Sequence, residues 1–184
     1  MMMPNNDRPG SDGELDAVLD TAYAMACKGD YTKALALCDR LMQDDMAVIA
    51  AQRQRAAIFS HQGNIKAAIA DLEQVVRAFP CEPADFHALG ILQLQAGDAA
   101  DAVENFRKAV RADAAADSSY YTNSSLMFSA AAQLMLGNFS AAIAGAARLP
   151  DGYKVYIPGT GIRTKEDVIS KATGAASSGE KASL

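Results

Sequence analysis

The chain has 184 residues, 50% apolar and 21% charged, with a net charge of −5, the make-up of a folded protein no larger than one domain or one short repeat array. The acidic balance, without a basic cluster, argues against a nucleic-acid partner, and no apolar run is long enough to span a membrane. Cys27, Cys38 and Cys81 are odd in number and lack CxxC spacing, so they read as small reduced core residues, not as a disulfide framework or a metal site.

Residues 1–12, opening Met1-Met2-Met3-Pro4-Asn5-Asn6-Asp7-Arg8, hold Pro, Asn, Asp and Gly with nothing to bury and read as a disordered lead-in. They carry neither the apolar stretch nor the cleavage site of a secretory leader, which makes the cytoplasm the expected location. Helix begins near Asp12 or Gly13, where Glu14 and Asp16 suit a first turn. Leu15 to Cys27 forms one helix and Tyr31 to Met42 a second. Gly29 ends the first, because only glycine enters the left-handed cap cheaply. Asp30 then caps the second by accepting bonds from its free amides.

The same grammar returns along the chain. Gly29-Asp30, Gly63-Asn64 and Gly97-Asp98 lie 34 residues apart, and Gly137-Asn138 follows after 40. Small residues keep the same phase: Ala22, Ala56, Gly90 and Ala130 on the first helix of each pair, Ala34, Ala68, Ala102 and Ala142 on the second. Such positions let paired helices approach closely. Four repeats follow, at about 15–48, 49–82, 83–116 and 123–150. Larger residues recur at Val18, Gln52, Phe86 and Leu126, and at Cys38, Leu72, Phe106 and Ala146; the second repeat departs at Gln52 and Arg55 but ends on the expected Pro80. Met46 stands in that place in the first.

Before the fourth repeat the phase slips by six residues, Asp117-Ser118-Ser119-Tyr120-Tyr121-Thr122. This insertion either lengthens a loop or extends the following helix. Its two tyrosines suit partner contact or cover for the seam between repeats, and packing is the favoured reading. The fourth repeat stops at Leu149-Pro150. Residues 151–173 read as a cap on the open end: Tyr153-Lys154-Val155-Tyr156-Ile157 alternates like an extended segment, Pro158-Gly159-Thr160-Gly161 turns, and Thr164 with Asp167 caps a short helix carrying Val168, Ile169 and Ala172. Residues 174–184, rich in Gly, Ala, Ser and Lys, read as a disordered tail.

Chemistry is sparse. His61 and His87 sit on different helices, without the convergent Cys, His or carboxylate partners that a metal or catalytic site needs. Gly159-Thr160-Gly161 lacks the Gly-Lys-Ser/Thr ending of a phosphate loop. No catalytic residue, metal ligand or cofactor is expected, and the chain is not read as an enzyme.

A helix-turn-helix unit recurring near 34 residues resembles the tetratricopeptide repeat (TPR) family, and Phe86, Leu89, Gly90, Ala102, Phe106 and Ala109 in the third repeat match its pattern best. The resemblance implies an all-α TPR helix-turn-helix solenoid of about four repeats, a right-handed superhelix with a C-terminal capping segment. It also implies a concave groove that binds a protein segment. Its lining would come from Leu19, Asp20, Tyr23 and Cys27, then Arg53, Gln54, Ala57 and His61. The third repeat would add His87, Ile91, Leu94 and Gln95, the fourth Met127, Phe128, Ala131, Leu134 and Met135. TPR co-chaperones grip a terminal carboxylate with a cationic clamp. Here its places hold Leu19, Tyr23, Gln54, Ala84 and Ala88, or, one repeat later, Arg53, Ala57, Ala88, Ser124 and Phe128, so that function is not implied.

The apolar Met127–Met135 end suits an amphipathic helix or hydrophobic peptide, or else the chain's own cap. In compact size, the Tyr120-Tyr121 insertion and the Tyr153–Ile157…Arg163-Thr164-Lys165 ending, the chain is similar to small bacterial TPR immunity proteins, which neutralise a secreted toxin domain by occlusion. Secretion-type chaperones of exported proteins are a second similar group. A self-associating homodimer is the structural alternative.

Overall fold

The computed structural model describes residues 12–78, 81–158 and 160–178; Phe79, Pro80, Gly159 and the terminal stretches 1–11 and 179–184 lie outside them. The elements in order are α1 (Asp12–Cys27), α2 (Tyr31–Leu41), α3 (Val48–His61), α4 (Ile65–Val75), α5 (Pro83–Ala96), α6 (Ala99–Ala115), α7 (Thr122–Met135), α8 (Phe139–Ala146), β1 (Lys154–Ile157), β2 (Gly161–Thr164) and α9 (Lys165–Ser178). They divide into two compact units that part between 78 and 79.

Each of the four glycine turns is built the same way. At the first, the Gly29 N–H donates to the Ala26 carbonyl and the Asp30 N–H to the Met25 carbonyl, with Gly29 at φ +85°. That pairing satisfies the orphan carbonyls of a helix end and demands a left-handed residue. Gly63, Gly97 and Gly137 repeat it with φ of +81°, +90° and +75°. The residue after each glycine closes one helix and opens the next, since the Asp30, Asn64, Asp98 and Asn138 carbonyls accept from Ala34, Ala68, Ala102 and Ala142.

The side-chain caps expected at those four places form only once. Asn64 Oδ1 accepts from the Ala67 N–H at 3.3 Å, whereas Asp30, Asp98 and Asn138 make no such bond. Asp30 takes Lys33 instead, and Asn138 donates to Gln133 Oε1. Where the cap residue is extended, at Glu82 (ψ 157°), a full capping box with Asp85 forms behind Pro83.

In the first unit α1 pairs with α2 and α3 with α4, around Ala22, Ala26, Ala34, Cys38 and Ile58, all fully buried. The departures at Gln52 and Arg55 form a matched polar set. Gln52 Nε2 donates to Gln74 Oε1 at 2.8 Å, and Arg55 donates through Nε (2.8 Å) and Nη2 (2.6 Å) to the two oxygens of Asp71, tying α3 to α4. Its Nη1 reaches Asp39 of α2 at 2.6 Å. The paired carboxylates hold Arg55 firmly charged: hydrogen bonding to Asp71 raises its pKa, against desolvation.

In the second unit α5 to α8 form two further helix pairs. Gly90 gives way to the ring of fully buried Phe106, which stacks on Phe128 with centroids 5.5 Å apart. The six-residue insertion is resolved in favour of a loop, 116–121, between α6 and α7. Buried Asp113 anchors it, accepting from the Tyr121 N–H at 2.9 Å and the Thr122 hydroxyl at 2.8 Å. After α8 the chain makes an antiparallel hairpin in the register Lys154↔Thr164, Val155↔Arg163, Tyr156↔Ile162 and Ile157↔Gly161. Thr164 and Asp167 then form a reciprocal cap for α9 at 2.8 and 3.1 Å. That helix is longer than expected. It runs to Ser178 and packs on α8 and α7, so residues 174–178 are helical and not tail.

Candidate functional site

In the first unit the groove positions fall on α1 and α3. Tyr23 is 45% exposed, and Asp20, Cys27, Ala57 and His61 are exposed around these two helices. Leu19 differs: it packs with Leu15, Val18 and Met42 against buried Leu41, Ala47 and Ala51, so it serves the core. Arg53 is half-buried. Gln54 turns its amide nitrogen inward, where it finds no hydrogen-bond partner. His61 Nδ1 sits 3.1 Å from the Tyr31 hydroxyl, joining the end of α3 to the start of α2.

In the second unit the corresponding residues are used by the protein itself. His87 is packed among Phe106, Tyr121 and Phe128, with ring centroids 5.3–5.8 Å away, and its Nδ1 lies 2.9 Å from Ser125 Oγ. Burial pushes its pKa down to about 4, partly offset by attraction to Asp113, so the ring is neutral near pH 7. Ile91, Leu94 and Phe128 form a cluster with Ala131 that is closed by Val155 and Ile157 of β1, Ile157 being 1% exposed. Met127 and Leu134 are fully buried with Leu126 and Ala130 under Leu149, Val168 and Ala172. Of the fourth-repeat positions, Met135 is exposed (38%). Met127, Phe128, Leu134 and Leu94 therefore line no open groove; the chain's own hairpin and α9 occupy their surface.

The alternation of Val155-Tyr156-Ile157 held the signal for this, because period two puts Val155 and Ile157 on one side and Tyr156 on the other. Tyr156 and its cross-strand partner Ile162 are 63% and 64% exposed. Tyr120 and Tyr121 divide between the two roles offered by the sequence: Tyr121 is half-buried beside His87, Tyr120 is 82% exposed.

Among the described residues no three His, Cys, Asp or Glu side chains converge as metal ligands, and no helix is long and apolar enough to cross a membrane. No protein-family model matches the chain, and no curated protein matches it in sequence. Solved structures do. A Podosopora anserina putative kinesin light chain with nearly identical TPR-like repeats is similar over 94% of this chain and 90% of its own, with a TM-score of 0.67 and 18% identity. MamA 41-end from Desulfovibrio magneticus RS-1 has a TM-score of 0.58 at 19% identity, covering 74% of each chain. YrrB, a TPR protein with an unusual peptide-binding site, has a TM-score of 0.59 at 16% identity over 71% of this chain, which spans 64% of YrrB's length. These likenesses establish the fold, which is that of TPR proteins.

Proposed function

We propose that this chain is a non-enzymatic protein-interaction module that takes a folded partner on the α1–α3 face of its first unit, in the manner of an immunity protein that occludes a toxin. The contrast between the two units carries this reading. The α1–α3 face keeps Tyr23, Asp20, Ala57 and His61 in solvent, while the apolar face of α5 and α7 is filled by Val155 and Ile157. An exported-protein chaperone needs an open apolar groove for an extended client, and here that groove is spent. An exposed tyrosine flanked by polar groups suits a defined partner surface, where aromatic anchors concentrate binding energy.

The test is a pull-down from native extract with the full chain and with Tyr23→Glu. One stoichiometric partner, lost with Tyr23→Glu, supports the reading, and protection of cells expressing that partner identifies it as a toxin. A partner retained by Tyr23→Glu refutes the assigned face. A heterogeneous set of unfolded polypeptides refutes the folded-partner reading in favour of the chaperone.

Self-association has one specific observation behind it. The Tyr156–Ile162 pair faces solvent on a two-stranded hairpin whose outer edges have no strand partner among the described residues. A dimer seated there would show as a doubling of the 19.3 kDa mass in light scattering, abolished by Ile162→Lys. A monomer mass at every concentration removes this option.

A further inference from the structure

In the second unit α6, α7 and α8 enclose a cleft of about 530 Å³, within the size range of ligand sites. It opens on the α7 face that carries Ser129 and Gln133, not the face under the hairpin. The floor open to a ligand is apolar, formed by half-buried Val103 and Val110 of α6, while Phe106, Leu126 and Ala130 beneath it are buried by the protein itself. The α8 wall presents Ala141, Ala144 and Gly145, spaced along one helical face, so no long side chain fills the space.

Around this floor stand three guanidinium groups, Arg107 and Arg111 one turn apart on α6 and Arg148 just beyond α8, and no Asp or Glu lines the cleft. Glu104 engages Arg107 and also feels the charge of Arg111 without contacting it. Arg111 and Arg148 are exposed and form no ion pair among the described residues, in a chain whose net charge is −5. A cationic rim over an apolar floor is complementary to an apolar group flanked by carboxylates.

We propose that this cleft docks an acidic peptide segment of a partner protein, with an apolar side chain on the Val103–Val110 floor and carboxylates paired to Arg111 and Arg148. The site is separate from the Tyr23 face, so the two readings stand or fall independently.

The test uses the full chain and a fluorescein-labelled helical peptide with Phe and Leu on one face and Glu on its flanks, read by fluorescence anisotropy. Its Lys-for-Glu counterpart is the control. The acidic peptide binds and the basic one does not. Arg111→Glu with Arg148→Glu weakens binding by about tenfold or more, and Ala144→Phe, which fills the cleft from an exposed position, weakens it severalfold. Both variants change solvent-facing side chains, and an unchanged far-UV spectrum verifies their fold. No binding of the acidic peptide overturns the proposal. So does equal binding by the charge-reversed variant, or loss on charge reversal with Ala144→Phe unaffected, which marks surface charge alone. Displacement by inorganic phosphate as effective as that by unlabelled peptide, at matched ionic strength, overturns it in favour of a plain anion site.

Discussion

Replacing Arg55 by leucine, the residue at the matching position of the third repeat (Leu89), tests whether the polar set in the first unit is a self-contained substitute for an apolar contact. The Asp71 side chain is 4% exposed and both its oxygens are held by Arg55, while the guanidinium is 21% exposed and also reaches Asp39, itself 58% exposed. Loss of Arg55 strands a buried carboxylate, a change that costs about 3–5 kcal/mol in comparable pairs; leucine packing in its place returns part of this, leaving about 3 kcal/mol. Asp71→Leu leaves a guanidinium that can turn to Asp39 and water, for about 1 kcal/mol. The double replacement is apolar on both sides and falls within about 1 kcal/mol of the parent, giving a coupling of about 3 kcal/mol. Urea unfolding at neutral pH, followed by circular dichroism, measures the three costs. Hydrogen exchange places them, with α3 and α4 amides losing protection and α6 and α7 amides unchanged. An Arg55→Leu cost below about 1 kcal/mol, or a double variant costing the sum of the singles, refutes the reasoning.

Four further perturbations test the packing. A Cβ at position 90 would lie 2.7 Å from Phe106 Cε1; overpacking of about 1–3 kcal/mol outweighs the roughly 1 kcal/mol of helix propensity gained, so Gly90→Ala lowers the melting temperature and a second change, Phe106→Leu, recovers part of it. Ile157→Ala removes the hairpin's buried anchor and costs about 2–4 kcal/mol in denaturant titration; a cost near zero would mean that the hairpin is not seated on α7. His87 has a folded pKa near 4, below the ordinary value of about 6.5. The unfolded ring therefore takes up its proton first, and stability is full above pH 6.5 and falls towards pH 4, by on the order of 2 kcal/mol after allowing for partial exposure; His87→Gln flattens that slope. Burial, with the nearby Asp39 charge, pushes the Cys38 thiol up to about 11. Ellman's reagent should label exposed Cys27 in the native protein and Cys38 only on unfolding; equal native rates would contradict this.

The parts of the fold that were legible in the sequence are those where backbone geometry leaves no choice. A left-handed position must be glycine or pay for it, which is why four Gly-Asp/Asn pairs announced four turns. A close helix contact must be small, and Ala22, Ala34, Ala68, Ala102 and Ala142 are all fully buried. What stayed hidden depends on side-chain partners distant in the chain. Gln52 and Arg55 were visible as departures, but their meaning lies with Gln74 and Asp71, 22 and 16 residues away. The caps at Asp30, Asp98 and Asn138 looked sound by residue type, yet Asp30 pairs with Lys33 and Asn138 with Gln133 instead. At the candidate site, Met127, Phe128 and Leu134 satisfy a groove for a partner and a seat for the chain's own cap equally well, because burial of apolar area does not record what covers it.

The short α8 explains why this chain spends that face on itself. With eight residues in the sequence FSAAIAGA, it has four alanines, a glycine and no charged residue, so it cannot supply the polar outer face with which a repeat array must end. Helix α9 takes the place of the missing neighbour: Val168, Ala172 and Ala175 are buried, on the helix that packs against α8. The hairpin then covers Leu94, Phe128 and Ala131 with Val155 and Ile157, and Lys165 Nζ ties the cap to the Leu149 carbonyl at 3.1 Å. A cap held in this way is structure and not a removable plug, since taking away residues after Pro150 would bare the fully buried Met127 and Leu134. The small residues of α8 also keep its other side free of bulk, at Ala141, Ala144 and Gly145. One local choice thus closes the inner face of the second unit and opens the outer one to the arginines of α6.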